Sequence, residues 1–493
     1  MWKWAAAIFC VLGIVLSLRA WNLGVDSEVV PAVEGVPVDS DAVLERFRGG
    51  LRIPTVSRQP GLGMDEAAFE NFRAYLAVHY PGIHEHLDLE IVSGHSLLFR
   101  WLGSEPSLPG TVLLAHQDVV PVDKGSEADW LHPPYAADVA DGFVWGRGSL
   151  DDKFGLFAIL EATEMLLAEG FEPRRTLYLS LGHDEEVGGG QGAVQIAKLF
   201  GDRRWPVGLV LDEGGAIVRG LVPGVDAPVA IVGVAEKGFV SFVLEVDGMG
   251  GHSSAPPDQS AIGIISAAIV KLEEQRFPMR FEGASRAFFE QGVGPASPFG
   301  MRILYGNLWL FEPLLLAFLD SSPMMAAMTR TTTAPTIFHA GLKENVLPAR
   351  AQATVNFRLL PGDSGDSVLA EVRRIVSDDR IDISMLEPAR EASPSSRTDS
   401  EAWRALSRTV HEVFPGSVIA PYLLLGGTDS RYFRDLCDCV YRFLPIELES
   451  DGLRRAHGSN ERIPVAGIAD GVRFYRRLIE NADAARLGSE TAG

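Results

Sequence analysis

The chain is organised around the stretch Leu181-Gly182-His183-Asp184-Glu185-Glu186-Val187-Gly188-Gly189-Gly190. A mostly apolar run, 176–181, precedes it and predicts a buried strand, and the glycines lead into a helical pattern. Two adjacent glutamates at the end of a strand repel each other unless a cation lies nearby. The pair therefore fits one metal ligand beside one general base, although two solvated turn glutamates fit this stretch equally well.

Length and charge narrow the possibilities further. The 493 residues exceed what one ordinary core holds, so we expect two domains. A formal net charge of -21 argues against nucleic acid or an anionic membrane surface as the main partner. Three cysteines exclude a disulfide framework.

The N-terminus carries an uncharged apolar segment, 4–18, between Lys3 and Arg19. Its fifteen residues suit the core of a signal peptide, but no small-x-small cleavage site follows. Extended over 1–23, the segment becomes a marginal membrane span. We favour an uncleaved signal anchor over a cleaved signal, followed by a linker at 24–40. In both cases the bulk of the chain lies outside the cytoplasm.

Three further places in the sequence carry groups that can bind metals: the ends of two apolar strands and the start of one helix. The run 111–115 leads into His116, Asp151-Asp152 opens a helix, and the run 208–211 ends in Asp212. Taken singly, His116 could be a satisfied strand-end histidine and the aspartates could be helix caps. Apolar strands that alternate with helices predict a mainly parallel sheet covered on both faces. Ligands of such sheets gather at the carboxyl ends of the strands.

The pattern changes after residue 236. A strand at 237–247, a helix at 261–272, strands at 336–340 and 351–360, a helix at 364–377 and a strand at 381–386 predict a small α+β module. We therefore predict a catalytic domain in two parts, 41–235 and 391–493, with a lid domain at 236–390 inserted between them. Residues 276–335 look irregular and unusually apolar.

The motifs that carry chemistry occur in a characteristic order. They are His116-x-Asp118, Asp151-Asp152-Lys153, Asp184-Glu185-Glu186, Asp212, Gly251-His252-Ser253 and His457-Gly458. Over roughly 41–480 this set resembles the M20 family of metallopeptidases, and most closely the carboxypeptidase S branch with its N-acyl-amino-acid amidohydrolases. The resemblance implies a zinc-binding α/β domain interrupted by a smaller lid domain of the dimerisation type.

The resemblance also implies a two-zinc site, although cobalt or manganese could take the place of zinc. Asp151 should bridge the two ions, with His116 and Asp212 on one and Glu186 and His457 on the other. Two neighbouring dications need a shared anion, and carboxylates with imidazoles suit zinc. The family also has a cis peptide bond after the bridging aspartate.

Four other residues receive roles by the same resemblance. Glu185 should act as the general base, and Asp118 should hydrogen-bond the imidazole of His116. His252 should steady the oxyanion, in many family dimers within the partner's active site. Arg358 should hold the substrate carboxylate. We favour a homodimer in which His252 acts in the partner's site over a monomer.

The implied reaction is hydrolysis of an amide next to a free carboxylate, in a C-terminal peptide bond or an N-acyl amino acid. The apolar residues of 299–328 predict either an acyl pocket or ordinary lid core. One alternative is an N-acyl-amino-acid synthase/hydrolase that prefers fatty acyl groups. Another is a catalytically silent binding protein on the same fold, which would be expected to lack Glu185 or a ligand, and none is missing.

Overall fold

The computed structural model describes residues 2–24, 35–58, 63–123, 125–220, 222, 224–449 and 452–488. Most of the predicted linker 24–40 therefore lies outside the described residues. The helices are α1 (Trp2–Asn22), α2 (Ser40–Leu51), α3 (Glu66–His79), α4 (Pro81–His86), α5 (Lys153–Ala168), α6 (Ala193–Arg203), α7 (Ala261–Glu274), α8 (Gly283–Ala287), α9 (Gly294–Ala296), α10 (Phe299–Tyr305), α11 (Leu308–Leu319), α12 (Pro323–Ala327), α13 (Gly365–Val376), α14 (Glu401–Val413) and α15 (Gly467–Ala484).

The strands are β1 (Asp88–Val92), β2 (Ser96–Trp101), β3 (Gly110–His116), β4 (Asp138–Ala140), β5 (Phe143–Trp145), β6 (Leu177–Gly182), β7 (Val207–Asp212), β8 (Ile217–Val218), β9 (Val229–Glu236), β10 (Gly238–Asp247), β11 (Gly251–His252), β12 (Thr332–Ala340), β13 (Val346–Leu347), β14 (Arg350–Leu359), β15 (Asp382–Met385), β16 (Val418–Leu424), β17 (Val440–Arg442), β18 (Glu447–Leu448) and β19 (Arg462–Pro464). Single 3-10 turns lie at Glu185–Val187 and Asp429–Phe433, and Phe288–Val293 is π-helical.

The larger sheet is parallel at its centre. Its order is β1-β2-β6-β3-β7-β17-β9-β8-β18, with β16 also paired to β9. Strands β6, β3 and β7 run parallel, and β3 and β6 are buried along their whole length. Their side chains pack on one face with α5 and α15 and on the other face with α6. This confirms the predicted α/β class with helices on both faces.

Strand register brings the predicted site residues to one edge of this sheet. His116, at the end of β3, pairs with Gly182 at the end of β6. The turn that carries Glu185 begins three residues later, and β7 ends beside them at Asp212. Because the three strands are parallel, their carboxyl ends form a common rim.

The predicted α+β module forms a second sheet with its own core. The order β12-β14-β10-β15 is antiparallel throughout, and α7 and α13 pack on it. The alternating burial of β10 reflects this packing, because only one face of the sheet carries helices. These elements match the predicted module, while the exact domain boundaries stay predictions.

The segment 276–335 differs from the prediction. It was expected to be irregular, and this expectation was wrong, because α8 to α12 and the π-helical turn occupy most of it. The helices are apolar on several sides, so they lack the periodic pattern of an amphipathic helix. They pack with β8, β9 and β16 of the larger sheet. Phe289, for example, belongs to the same buried cluster as Ile231 of β9 and Ala420 of β16. Strand β9, buried along all eight residues, also escaped prediction.

Helix α1 lies outside both cores and contacts the turn between α10 and α11. It has 21 residues, of which Ala20 is the buried one. At 1.5 Å per residue it is about 31 Å long, close to the thickness of a bilayer's hydrocarbon core. The helix is long and apolar enough to cross a membrane, as either a signal sequence or an anchor would be.

Candidate metal centre

Four of the predicted metal ligands meet at the rim of the larger sheet. His116, Asp151 and Glu186 each offer one ligand atom, and these atoms lie within 4.8 Å of one another. His457 joins them, with its Nε2 3.0 Å from Glu186 Oε2. His457 comes from a loop near the C-terminus, more than 300 residues along the chain from Asp151.

The two carboxylate oxygens of Asp151 face two different imidazoles. Oδ1 lies 3.0 Å from His116 Nε2, and Oδ2 lies 2.9 Å from His457 Nε2. The peptide bond from Asp151 to Asp152 is cis, as the resemblance implied. A carboxylate with one oxygen toward each imidazole is the donor set that a pair of bridged cations requires.

The charges at this site also favour cations. Oε1 of Glu186 is buried without a hydrogen-bond partner among the described residues. Hydrogen bonds to Asp151 and then to Glu186 raise the pKa of His457 to about 10. A cluster of carboxylates and imidazoles in which a buried carboxylate oxygen lacks a partner is typical of a metal centre. The residues present therefore fit the two ions that the family implies.

Asp118 acts through both its backbone and its side chain. Nδ1 of His116 lies 3.0 Å from the Asp118 carbonyl oxygen and 3.4 Å from its carboxylate. Because both neighbours only accept hydrogen bonds, Nδ1 donates to them, and Nε2 is the ring nitrogen directed toward Asp151, where it could bind a metal. The carboxylate also accepts the backbone N–H groups of Glu185 and Glu186, at 3.2 and 3.1 Å. Asp118 thus orients one imidazole and the turn that carries both glutamates.

Glu185 lies at the mouth of the site and contacts neither imidazole of the cluster. Its side chain is 11% exposed, and Oε1 lies 3.3 Å from Arg431 Nη2. Burial, and then the charge of nearby Asp429, raise the pKa of Glu185 well above its ordinary value. A carboxylate with a raised pKa beside a metal centre suits a group that accepts and returns a proton.

The structure does not bring Asp212 into the cluster. Its Oδ1 accepts the backbone N–H of Glu213 at 3.0 Å, and its Oδ2 accepts that of Ser430 at 2.7 Å. The neighbouring Glu213 instead lines the same cavity as Asp151 and His457. Burial, and then the charge of Asp151, raise the pKa of Glu213 well above its ordinary value.

Sequence reasoning had a signal for Glu213 but could not use it. The Asp212-Glu213 doublet repeats the arrangement of Glu185-Glu186, two adjacent carboxylates after an apolar strand. Which of these two adjacent carboxylates faces the metal site depends on the hydrogen bonds that the other carboxylate makes. Here Asp212 is occupied by the loop at 428–431, which lies more than 200 residues away in sequence.

A second missed residue is Glu461, which supports the loop before the bridging aspartate. Its fully buried carboxylate pairs with Arg147 at 2.7 Å. It also accepts the backbone N–H groups of Gly148, Leu150 and Asp151, at 3.0, 2.8 and 3.1 Å. Arg147 in turn donates to the His457 carbonyl oxygen at 2.9 Å. One ion pair therefore holds the loops of two metal-site residues together.

Arg358 lies in a group of cationic side chains near Glu185. Burial, and then the charges of Arg431 and Arg390, lower the pKa of Arg358. Its guanidinium stacks over the Phe239 ring at 4.9 Å, and it makes no ion pair within the described part of the chain. Guanidinium groups that repel one another are stabilised by an anion between them.

His252 lies away from the cluster. It is exposed on β11, which pairs with β13 in the smaller module, and its Nδ1 lies 2.8 Å from Ser254 Oγ. It does not line the cavity at the metal centre. Within one chain, the structure therefore does not bring His252 to the other predicted site residues.

A large apolar cavity opens on the metal centre. Its volume is about 770 Å³, and its polar end is lined by Asp151, Glu185, Glu213 and His457. Apart from glycines and Thr428, the rest of the wall is aliphatic, aromatic or methionine, and includes Phe289, Leu304, Leu315, Phe318, Met325 and Tyr422. Most of these aliphatic, aromatic and methionine residues come from the 276–335 segment, so that segment encloses a space and is more than core packing.

Comparisons with known proteins agree with this geometry. The model of "Peptidase family M20/M25/M40" matches residues 112–481. The chain is 41% identical over 423 residues to "Probable carboxypeptidase S-like 2" of Dictyostelium discoideum, which covers 85% of this chain and 80% of that protein. It is 40% identical over 447 residues to "N-fatty-acyl-amino acid synthase/hydrolase PM20D1" of Homo sapiens, covering 90% and 88%.

Among solved structures, the fold resembles the M20 family metallo-carboxypeptidase Sso-CP2 from Sulfolobus solfataricus. The TM-score is 0.67 at 18% identity, and the match covers 90% of this chain and 99% of that one. At that identity the likeness concerns the fold. From the family match and the two close relatives, we conclude that the chain belongs to peptidase family M20 and is a hydrolase.

Proposed function

We propose that the protein is a two-zinc amidohydrolase that acts on N-acyl amino acids with long acyl chains. The observation that carries this proposal is the apolar cavity of about 770 Å³ that opens directly on the metal centre. A dipeptide would leave most of such a space unfilled, whereas a fatty acyl chain would bury its methylenes there. The name of the human relative, "N-fatty-acyl-amino acid synthase/hydrolase PM20D1", supports the same substrate class.

In the proposed site, Asp151 would be shared by the two ions, His116 and Glu213 would hold one, and Glu186 and His457 would hold the other. Glu213 replaces Asp212 in this set because Asp212 is occupied by backbone N–H groups. Bound zinc, or cobalt or manganese in its place, would polarise the amide carbonyl and lower the pKa of water.

The chain's own residues would then move the proton and hold the substrate. Glu185 takes a proton from the attacking water and returns it to the leaving nitrogen. Asp118 keeps Glu185 and His116 in position. The Arg358, Arg390 and Arg431 group holds the free carboxylate of the amino acid, close to Glu185. A carboxylate subsite on one side and an apolar cavity on the other fit an N-acyl amino acid. The same arrangement would also catalyse the reverse reaction, which forms an N-acyl amino acid from a fatty acid and an amino acid.

The test is a chain-length series of N-acyl amino acids beside a panel of dipeptides. Each buried methylene contributes about 0.8 kcal/mol, so kcat/KM should rise about fourfold per methylene until the cavity is filled. Met325→Trp, which narrows the cavity, should lower the rates for long chains and leave N-acetyl substrates unchanged. Faster hydrolysis of dipeptides than of any long-chain substrate would favour a carboxypeptidase instead. Incubation with fatty acid and free amino acid measures the reverse reaction.

His252 is proposed to act across a homodimer. It lies on the exposed β11 of the module, away from its own metal centre, and the exposed edge strand β12 offers a surface for pairing. Mixing inactive Glu185→Ala and His252→Ala proteins under subunit exchange should restore activity, because one mixed site then has both residues. Each variant mixed with itself is the control. If confirmed exchange restores nothing, His252 serves its own chain and a monomer becomes sufficient.

We further propose that α1 is an uncleaved anchor and that the catalytic part lies outside the cytoplasm. The structure supports this with contacts between α1 and the 276–335 segment, since Asn307 Nδ2 donates to the Leu16 carbonyl oxygen at 3.1 Å. An intact mass of the mature protein that lacks residues 1–23 would show a cleaved signal instead.

A further inference from the structure

Helix α11 presents an apolar stripe to the outside of the protein. Its exposed residues are Trp309, Leu310, Pro313, Leu314, Ala317 and Phe318. They follow the spacing i, i+1, i+4, i+5, i+8 and i+9, which places them on one face of the helix. A helix at a water-exposed surface normally carries polar residues on this face. A contiguous apolar stripe of this kind marks a contact surface.

The charged residues nearest this stripe are held in ion pairs. Glu312, the one charged residue within α11, pairs with Arg286 of α8 at 3.1 Å. Asp320, just after the helix, pairs with Arg330 at 2.7 Å. The six residues of the stripe are themselves all apolar.

Helix α1 bears on what the stripe contacts, because it lies next to the start of α11. The turn between α10 and α11 contacts the last third of α1, where Asn307 binds the Leu16 carbonyl oxygen. Trp21 of α1 and Trp309 of α11 are 65% and 55% exposed. If α1 crosses a bilayer, this contact is within about 10 Å of its end, at the interfacial depth where tryptophan is enriched.

The shape of the α10–α11 pair suits one leaflet of a bilayer. Together the two helices are apolar and long enough for a span, but they bend by 100° between them. Because of this bend, the two helices do not cross a bilayer as one straight span. The bend suits helices that lie in the membrane interface, which bury one apolar face to a depth of about 5–10 Å.

The stripe is also continuous with the cavity. Leu314, Phe318 and Met324 line the cavity at the metal centre, and each is also at least 43% exposed. Leu314 and Phe318 thus belong both to the stripe and to the cavity wall, so the cavity borders the stripe along α11. A chain that enters beside α11 would not have to cross water.

We propose that the α10–α11 hairpin rests in the leaflet next to the catalytic part and that acyl chains exchange between bilayer and cavity along α11. The lipid contact rests on the stripe and on the proposed anchor α1, while the route for acyl chains rests on the proposed substrate class. The experiments below separate the two.

The first experiment measures lipid contact in the full-length protein. Leu310→Cys, or Leu342→Cys as the control, is labelled with an environment-sensitive fluorophore after Cys10, Cys437 and Cys439 are replaced by Ser. Leu342 is fully exposed in the lid. In phosphatidylcholine vesicles, nitroxide-labelled phosphatidylcholine should quench the label at 310 and leave the label at 342 unquenched. Equal quenching by an aqueous quencher at both positions would overturn the proposal. Protection at 310 that depends on protein concentration in detergent would show a second copy on this face, which also overturns it.

The second experiment measures the route. The Trp309→Glu/Leu310→Glu double variant changes outward residues that do not line the cavity, and Leu342→Glu is its control. With oleoyl amino acid in vesicles, the double variant should lose at least tenfold in kcat/KM, while a soluble short-chain substrate is cleaved at the wild-type rate. Unchanged activity on the vesicle-borne substrate would exclude entry along α11 even if the labels report lipid contact. A preparation inactive on every N-acyl amino acid would contradict the proposed function and leave the labelling result standing.

Discussion

Replacing Glu185 with Gln should lower kcat by about 10²- to 10⁴-fold while both metal ions stay bound. The amide has nearly the shape of the carboxylate but cannot accept the proton of the attacking water. Glu185 contacts Arg431 and no histidine of the cluster, so its loss leaves the metal-binding atoms in place. Steady-state kinetics together with elemental analysis of the same preparation measure both effects. Glu185→Ala should behave alike.

The matched control is the adjacent residue. Glu186→Gln removes a carboxylate oxygen that lies 3.0 Å from His457 Nε2, so this variant should lose activity together with part of its metal. If Glu185→Gln and Glu186→Gln lose the same amount of metal, the separation of base from ligand is wrong.

Removal of the metals should abolish activity, and about two ions per chain should restore it. The residues Asp151, Glu186 and Glu213 are close together and largely buried, so their charges repel one another without cations. Dialysis against a chelator, followed by titration with zinc, cobalt or manganese, measures the stoichiometry and the preferred ion. Full activity in a chelated protein without metal would contradict the two-metal site.

Two isosteric variants then test whether Glu213 or Asp212 binds the same ion as His116. Glu213→Gln should weaken the binding of one ion by more than about 100-fold, which is the upper end of what changes outside the coordination shell produce. Asp212→Asn should weaken it by less, because its oxygen can still accept the Ser430 N–H that it binds in the structure. The opposite order would restore Asp212 as the ligand, as the sequence predicted.

The local sequence pattern was enough to predict most of the helices and strands and most of the site residues. The apolar runs before His116 and Glu185 predict buried parallel strands, and the residues that follow such strands lie at one rim whatever the rest of the chain does. The helix after Asp151 and the alternating strand at 238–247 were likewise visible, because hydrophobic periodicity is a property of neighbouring residues.

Only the tertiary structure decided three features. Whether Asp212 or Glu213 faces the cavity depends on a loop at 428–431, and the support of Asp151 depends on Glu461, about 310 residues away. The helices of 276–335 lack an amphipathic period because they face a cavity on one side and an apolar outer surface on the other. Contacts between residues distant in sequence arise from the packing of whole elements, so no local pattern encodes them.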